Sequence, residues 1–540
     1  MPRDFDALLG VNYDVLVIGG GIHGLFAAYD AASRGLSVAL VERSDFGSGL
    51  SFNHQRTLHG GLRAVQTGRL GKVRHQIAER RTWARIAPHL LRPLPFLVAT
   101  SGWSTRSRMA VRVGFTLYDF VARKRNAGVS PELHLPRAKL ESAAATKRLF
   151  PGVSERGLSG GAVWYDYQIR HPDRLTWTVA LAAREAGARL MNYVEALGPA
   201  GSGAPGVGVR DLLTGENGIV AAKVTIVAAG SQVGTVLSAF GIQGAPPLLR
   251  AMNVLLDRPA RDIATAAPAP SGRMLTAVPW QGYVLIGTHQ SAEPVAATET
   301  SPPPEAIDAF LADANAAFPR LSAKRADIRL IHYGLVPAIS NGRSADLLPE
   351  PAIARHSVAG SSLIALVGAK YTTARWAAER AVDLAARDAG GHHRRSRTSS
   401  ATLPHAGIAD VEGRLVETMR GLGIDLDRDV IDHLTSWYGT EASEVVRHAA
   451  ETGTLDRLAP ASPVIAGEIS YAATRADAVR LADAVLRRTP LGAAGHPGTE
   501  ALTRAAAVMA KSTRWSDDQR AAEVMATERE MTPGVVSPNA

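Results

Sequence analysis

The feature that most constrains this chain is the run from Tyr13 to Glu42. Tyr13-Asp-Val-Leu-Val-Ile18 is a short, apolar, β-branched segment, the pattern of a buried parallel strand. Gly19-Gly-Gly-Ile-His-Gly24 follows at once, and an Ala-rich helical stretch runs from Leu25 to Ser33. Gly35 stops that helix, and Ser37 to Val41 reads as a second strand ending in Glu42. Strand, glycine turn, helix, strand and terminal acid make one βαβ unit of about 30 residues. A lone GxGxxG means little in an Ala/Gly-rich chain, but this context makes it a dinucleotide cradle. Gly19 permits the tight turn, Gly21 lets the backbone approach a pyrophosphate, and Gly24 lets helix and strand pack closely. The helix N-terminus turns free N–H groups and its dipole toward the phosphates, and Glu42 would hold the adenosine ribose hydroxyls.

That motif does not separate FAD from NAD; two later runs do. Val224-Thr-Ile-Val-Ala-Ala-Gly230 reads as a late strand returning to the nucleotide site, as in flavoproteins of the two-dinucleotide-binding type, which sets Ala229 and Gly230 beside the cofactor. Leu363-Ile-Ala-Leu-Val-Gly-Ala-Lys-Tyr-Thr-Thr373 again joins a buried strand to a helix. Its turn, with Gly368, Lys370 and Thr372, would meet the flavin's pyrimidine end, where negative charge develops on reduction. Each run alone reads equally well as a buried strand and turn. Together, and in this order, they favour FAD.

Composition sets the outer limits. A chain of 540 residues exceeds one ordinary core, so two or three domains are expected. Zero cysteines exclude disulfides, thiolate zinc sites, cysteine nucleophiles and iron–sulfur clusters, and no metal site is expected. Met1 to Gly10 lacks a basic segment followed by an apolar block, and no apolar run reaches the roughly 18 residues of a membrane span. A cytoplasmic protein is expected, soluble or peripheral on the membrane face. The net charge of +10 invites a nucleic-acid reading, but only eight of the 60 basic residues are lysine. The first 400 residues hold 46 basic against 30 acidic side chains, and the remainder 14 against 20. With no basic tail and no interleaved aromatic platform, an anionic substrate or lipid surface fits better than nucleic acid.

Along the chain, Arg258–Arg273 and Ser291–Glu305 are Pro/Ala-rich and read as surface excursions. Asp388–His405, with Gly-Gly-His-His-Arg-Arg and a Ser/Thr cluster, reads as a linker. Val411 to Glu530 has helical periodicity and few β-branched runs. The expected division is therefore 1–395 and 396–540, the second part all-helical and suited to homodimerisation or acceptor docking.

His59-Gly-Gly-Leu-Arg63 resembles the signature of the FAD-dependent glycerol-3-phosphate dehydrogenases and oxidases. So do Ile77-Ala-Glu-Arg-Arg81, Tyr165-Asp166, Asp173-Arg-Leu175, Pro279-Trp280, Gly368-Ala-Lys-Tyr-Thr-Thr373 and Leu486-Arg-Arg-Thr-Pro-Leu-Gly492, so the resemblance covers about residues 12–530. It implies an α/β fold: a Rossmann-like FAD domain with an inserted antiparallel-sheet substrate domain, plus the helical C-terminal domain. It also implies oxidation of glycerol 3-phosphate to dihydroxyacetone phosphate, with electrons passing to quinone or another acceptor. Arg63, Lys370 and Arg355 fall where family substrate groups lie, and His59 is the candidate for proton handling.

The departures bear on the substrate. Val336 stands where the family carries a phosphate-gripping arginine, Ala64 where tyrosine is common, and Asn253 where a histidine is found. His289-Gln290 replaces a Thr-Asp pair. Either Arg343 or another arginine restores the lost contact, or the substrate is a non-phosphorylated hydroxy compound or an amine. A flavin-binding protein with a decayed site is a third reading, opposed by the joint presence of His59, Arg63, Arg355 and Lys370.

Overall fold

The computed structural model describes residues 3–62, 69–102, 107–201, 206–340, 345–358, 360–391, 393–407 and 410–531. The βαβ unit read from the sequence forms as strand Asn12–Ile18, helix Ile22–Ser33 and strand Val38–Glu42. It sits in a sheet of order 352–358, 361–367, 217–227, 12–18, 38–42, 189–192. The four pairs from Ser361–Val367 through to Arg189–Asn192 are parallel. Ile18 is level with both Val41 and Val227, and Val227 with Ala365, so three strand ends open at one edge of the sheet. Ligands of open parallel sheets bind at such carboxyl ends.

Alanine explains how the helices reach this sheet. Ala27, Ala28 and Ala31 of the first helix and Ala377, Ala378 and Ala381 of helix Ala374–Ala389 are all fully buried in one core. Their small side chains let the two backbones approach closely over the strands. Helix Pro172–Glu185 completes that layer, with Leu175, Val179 and Ala183 in the same core.

Among the described residues the second sheet has ten strands, antiparallel apart from one parallel pair, 264–268 against 91–101. Its long central strands are Leu248–Pro259 and Ile328–Ser340, and helix Pro304–Ala317 packs on it through Ile307, Phe310 and Ala314. The stretch Arg258–Arg273 corrects a sequence expectation. It carries strand Ala264–Pro268 with Ala264, Ala266 and Ala267 buried, and is part of the sheet, not an excursion from it. Runs of alanine and proline look like low complexity, but small side chains are what a crowded inner strand accepts.

Every helix and turn from Val411 to Met531 belongs to an all-helical region with two apolar cores. The segment read as a linker is laid along the first domain: Leu403 is buried, and its amide donates to Ile86 O at 2.8 Å. Phe52, from the FAD-binding half, packs inside a helical-domain core. The tie between the halves is ionic as well. Asp45, fully buried, accepts from Arg487 Nε at 2.7 Å and from Arg488 Nη1 and Nη2 at 3.0 and 2.7 Å. Burial pushes the Asp45 carboxyl up, but the two guanidiniums outweigh it and hold the group below its ordinary range. Its stabilising effect is therefore present above the carboxylate's unfolded pKa and is lost as pH falls through the lowered folded value. Asp45→Asn leaves the buried Arg488 guanidinium without its carboxylate, while Arg487 keeps Asp483 and Glu530, and should cost about 3–5 kcal/mol of stability. Chemical denaturation of the variant at neutral pH checks this; an unchanged midpoint would show that the ion network does not hold the two halves together.

Candidate active site

The glycine turn is fitted to its neighbours closely enough that two of its glycines are dictated by protein packing alone. Gly19 has φ +111, and a β-carbon there would lie 2.6 Å from Ala228 O. One on Gly24 would lie 1.9 Å from Gly19 O. Gly21, the N-cap of the helix, differs: its nearest neighbour is Ser51 Oγ at 3.2 Å. The packing tolerates little there but does not demand glycine, whereas a pyrophosphate approaching the helix N-terminus does. Glu42 accepts from the Gly20 amide at 2.6 Å and the Ser44 amide at 2.8 Å. Burial pushes its pKa up and those amides pull it back. Bonded there, the carboxylate still has lone pairs for ribose hydroxyls.

The two later runs arrive at the same place. Ala228 donates its amide to Ile18 O at 2.8 Å, and Ala229 and Gly230 turn away into a short helix beginning at Gly230. Gly368 faces the first turn so closely that a β-carbon would sit 2.1 Å from His23 Nε2. That nitrogen is buried without a partner among the described residues, and burial holds the imidazole neutral, its pKa lowered to about 4. Three turns, a helix N-terminus and an unsatisfied polar atom fit the FAD implied by the motifs.

His59 follows the two-residue strand Thr57–Leu58. Its Nδ1 lies 3.1 Å from Asp166 Oδ2, its Nε2 2.9 Å from Thr57 Oγ1, and its amide 3.3 Å from Thr372 Oγ1. The histidine signature thus meets the late turn that carries Lys370. Asp166 is buried, paired with Arg80, and accepts from the Gly60 amide at 2.8 Å. Burial raises its pKa, but Arg80 and His59 outweigh that and keep it an anion. An Asp166 anion fixes the His59 tautomer with the proton on Nδ1, leaving Nε2 as the basic nitrogen. A β-carbon on Gly60 would fall 2.4 Å from Arg80 Nη1, and one on Gly61 2.0 Å from Gln76 Oε1, so the paired glycines are a packing requirement. The Glu-Arg pair at 79–80 serves two anchors: Arg80 holds Asp166, while Glu79 takes Arg375 of helix Ala374–Ala389 at 2.9 and 2.6 Å.

Lys370 Nζ donates to Pro349 O at 3.0 Å. Burial, and then the neighbouring charge of Lys72, lower its pKa to about 8.

Other residues singled out in the sequence are placed elsewhere. Arg355 lies on edge strand Ala352–Val358, opposite Ile364, with its side chain 62% exposed and held by Asp388 at 2.8 Å. It does not join Lys370 and His59. Arg63, Ala64 and Arg343 lie outside the described residues. Val336 is buried among Leu249, Ala251, Ala338 and Ala345. Asn253 is buried and accepts from Thr288 Oγ1 at 2.8 Å, and His289 packs on Phe310.

The sequence reading missed Asp166 as the partner of His59, although Tyr165-Asp166 stood out as a motif. It also missed Arg56, which has φ +60, is buried over the Trp280 ring at 3.8 Å, and reaches His332 Nε2 at 2.8 Å. Burial lowers its pKa to about 10. No spacing rule flags a lone arginine three residues before a histidine.

Known proteins resemble the chain over nearly its whole length. Residues 14–384 match the family model described as FAD dependent oxidoreductase, and residues 362–520 that of the C-terminal domain of alpha-glycerophosphate oxidase. The glycerol-3-phosphate dehydrogenase of Synechocystis sp. is 30% identical over 96% of each chain. Glycerol-3-phosphate dehydrogenase 2 of Mycobacterium tuberculosis is 32% identical over 94% of this chain and 86% of its own length. In three dimensions the chain is similar to the glycerol-3-phosphate dehydrogenase of Bacillus halodurans complexed with FAD. The TM-score is 0.75 at 24% identity, covering 98% of this chain and 97% of the other. The chain therefore belongs to the FAD-dependent oxidoreductase family and, within it, to the glycerol-3-phosphate dehydrogenases.

Proposed function

We infer that the protein oxidises the secondary alcohol of sn-glycerol 3-phosphate to dihydroxyacetone phosphate. The observation that carries this reading is the contact of His59 with Thr372, which joins a proton acceptor to the lysine-bearing turn at the mouth of the FAD cradle. Relatives named glycerol-3-phosphate dehydrogenase, 30% identical over nearly the full length, support it. Bound FAD supplies the two-electron acceptor for the hydride that leaves the carbinol carbon. The chain's residues supply the rest. His59 Nε2 takes the hydroxyl proton, directly or through the Thr57 hydroxyl 2.9 Å away, and Asp166 stabilises the imidazolium that results. Lys370 faces the substrate as a cation and orients it.

Two consequences are measurable. His59→Ala should lower kcat by about 10²–10⁴-fold while FAD stays bound. Only the charged form of Lys370 holds an anion, so kcat/KM should fall as pH rises through about 8. Lys370→Arg should remove that limb, because a guanidinium stays charged. A profile without the limb in the wild type would take Lys370 out of substrate binding.

Val336 favours the second reading, a non-phosphorylated hydroxy compound or an amine, because it is buried in an aliphatic cluster. That cluster also has no seat for a longer cation. Val336→Arg should therefore lower thermal stability without lowering KM for glycerol 3-phosphate. Anaerobic flavin bleaching by millimolar-range glycerol 3-phosphate, glycerol and a set of amines decides between the substrates. Bleaching by one of the others alone would install the second reading.

The electron acceptor and its location form a further part of the proposal: a quinone or similar acceptor reached at a membrane surface, the protein being peripheral to it. No helix of the described residues is long and apolar enough to cross a membrane. Of the eleven exposed large hydrophobic side chains among the described residues, four lie on helix Arg108–Val121: Met109, Val113, Leu117 and Phe120. Their spacing puts them on one face, and Arg112, Arg123 and Lys124 are exposed beside them, a pairing suited to anionic lipid. The wild type should sediment with phosphatidylglycerol vesicles at low salt, and Val113→Asp with Phe120→Asp should abolish it. Failure of the wild type to bind, or a double variant that binds equally well, would overturn the assignment. Loss of a dimer in the double variant, read by light scattering, would reassign the face to a second copy of the chain.

A further inference from the structure

We propose that Lys72 is a specificity-determining residue that, with Lys370, forms the phosphate end of the substrate pocket; this rests on the reading of the substrate as a phosphorylated polyol. Lys72 lies in the first turn of helix Leu70–Ile86. Its Nζ donates to Pro349 O at 2.8 Å, and Lys370 Nζ donates to the same oxygen at 3.0 Å. Two ammonium groups from distant parts of the chain thus converge on one neutral acceptor. A shared carbonyl does not neutralise two charges. Among the described residues the counter-charge is Glu350, 2.9 Å from Lys72 and about half exposed, where an ion pair is weak. Each ammonium has three N–H donors, and the carbonyl and this carboxylate do not use them all. A phosphate dianion is the ligand that such a pair would take.

The pair's place in the fold supports the assignment. Leu348, the residue before Pro349, donates its amide to Pro337 O at 3.0 Å. The carbonyl that the two lysines share is thus one residue from a bond to Pro337, the neighbour of Val336, whose own buried side chain offers no charge. Asn253 is likewise uncharged and already bonded to Thr288. Lys370 follows the turn that touches the first glycine loop, so the lysine pair extends from the cofactor's cradle toward the substrate sheet. A substrate that presents its carbinol to His59 and its phosphate to Lys72 and Lys370 would use both ends of this arrangement.

The test is steady-state kinetics with glycerol 3-phosphate and glycerol, together with an inorganic phosphate titration followed by flavin absorbance, on wild type, Lys72→Ala, Lys72→Arg and Glu350→Gln. Lys72→Ala should raise KM for glycerol 3-phosphate by about ten- to a hundred-fold, with a smaller change in kcat. The preference for the phosphorylated substrate over glycerol should shrink by the same factor, and the phosphate Kd should rise in parallel. Lys72→Arg should restore most of the loss. Glu350→Gln, which removes the competing carboxylate, should shift both quantities the opposite way, a sign that damage to the fold does not produce. A KM and phosphate Kd within about twofold of wild type in Lys72→Ala, or equal losses for glycerol, would overturn the proposal. Should Lys72→Ala fail to fold, Glu350→Gln still decides: no tightening there counts against the site. If glycerol 3-phosphate is not oxidised by the wild type but the phosphate titration follows the variants as described, the substrate reading fails and the anion site stands.

Discussion

A β-carbon on Gly24 would lie 1.9 Å from the Gly19 carbonyl oxygen, and one on Gly19 would lie 2.6 Å from that of Ala228. These two approaches set the distance between the first helix, its strand and the late strand Asn217–Val227. With Gly368 against His23, they bring three turns, the first and last more than 300 residues apart in the chain, to one edge of the parallel sheet. The rest is arranged around that edge. The alanine-rich helices pack closely because the turns that launch them are already close, and the signature histidine meets Thr372 because the late turn is held there. A larger residue at Gly19 or Gly24 would open the sheet edge before it affected any ligand.

Charge is the second organising principle, and part of it works inside the molecule. The arginine excess invites a surface-binding interpretation, yet many arginines are buried against carboxylates: Arg34 with Asp30, Arg80 with Asp166, Arg174 with Glu441, Arg375 with Glu79, and Arg487 and Arg488 with Asp45. Buried pairs of this kind add little net stability over apolar packing, but they are costly to leave half-made. They therefore act as registration devices. Arg80 sets the height of Asp166 and so the ring of His59; Arg375 sets the helix behind Lys370; Asp45 sets the helical domain against the FAD domain. On the exterior, the apolar and basic face of helix Arg108–Val121 stands out as a local feature.

The parts of this structure that were legible in the sequence are those where one short segment carries its own geometric reason. The βαβ unit reads directly because strand period, glycine turn and helix are contiguous, and its observed bounds differ from the reading by at most three residues. The two later turns read nearly as well. The strand Ala264–Pro268 did not, because an inner strand built of alanine and proline has no alternation to detect. The His59–Asp166 pair was half legible: both residues sit in motifs, but their contact is made across 107 positions by a sheet that only the fold supplies. Arg56 carries no local signal at all; its meaning comes from Trp280 and His332, far along the chain.

Arg355 shows why a position carried over by motif is less constrained in space on a strand than in a turn. In a glycine turn the backbone admits one path, so a residue matched to a motif is also matched in space. On an edge strand a step of one residue reverses the face a side chain presents. Arg355 presents the outer face and is held there by Asp388, itself bonded to Ser362, so its direction is fixed by neighbours that the motif does not include. Lys72 is the converse case. It belongs to no motif, yet it shares the Pro349 carbonyl with Lys370, and Leu348, the residue before Pro349, is bonded to Pro337 beside Val336. Anion recognition needs charge at a point in space, and a helix end can supply it as well as the strand position that ordinarily would.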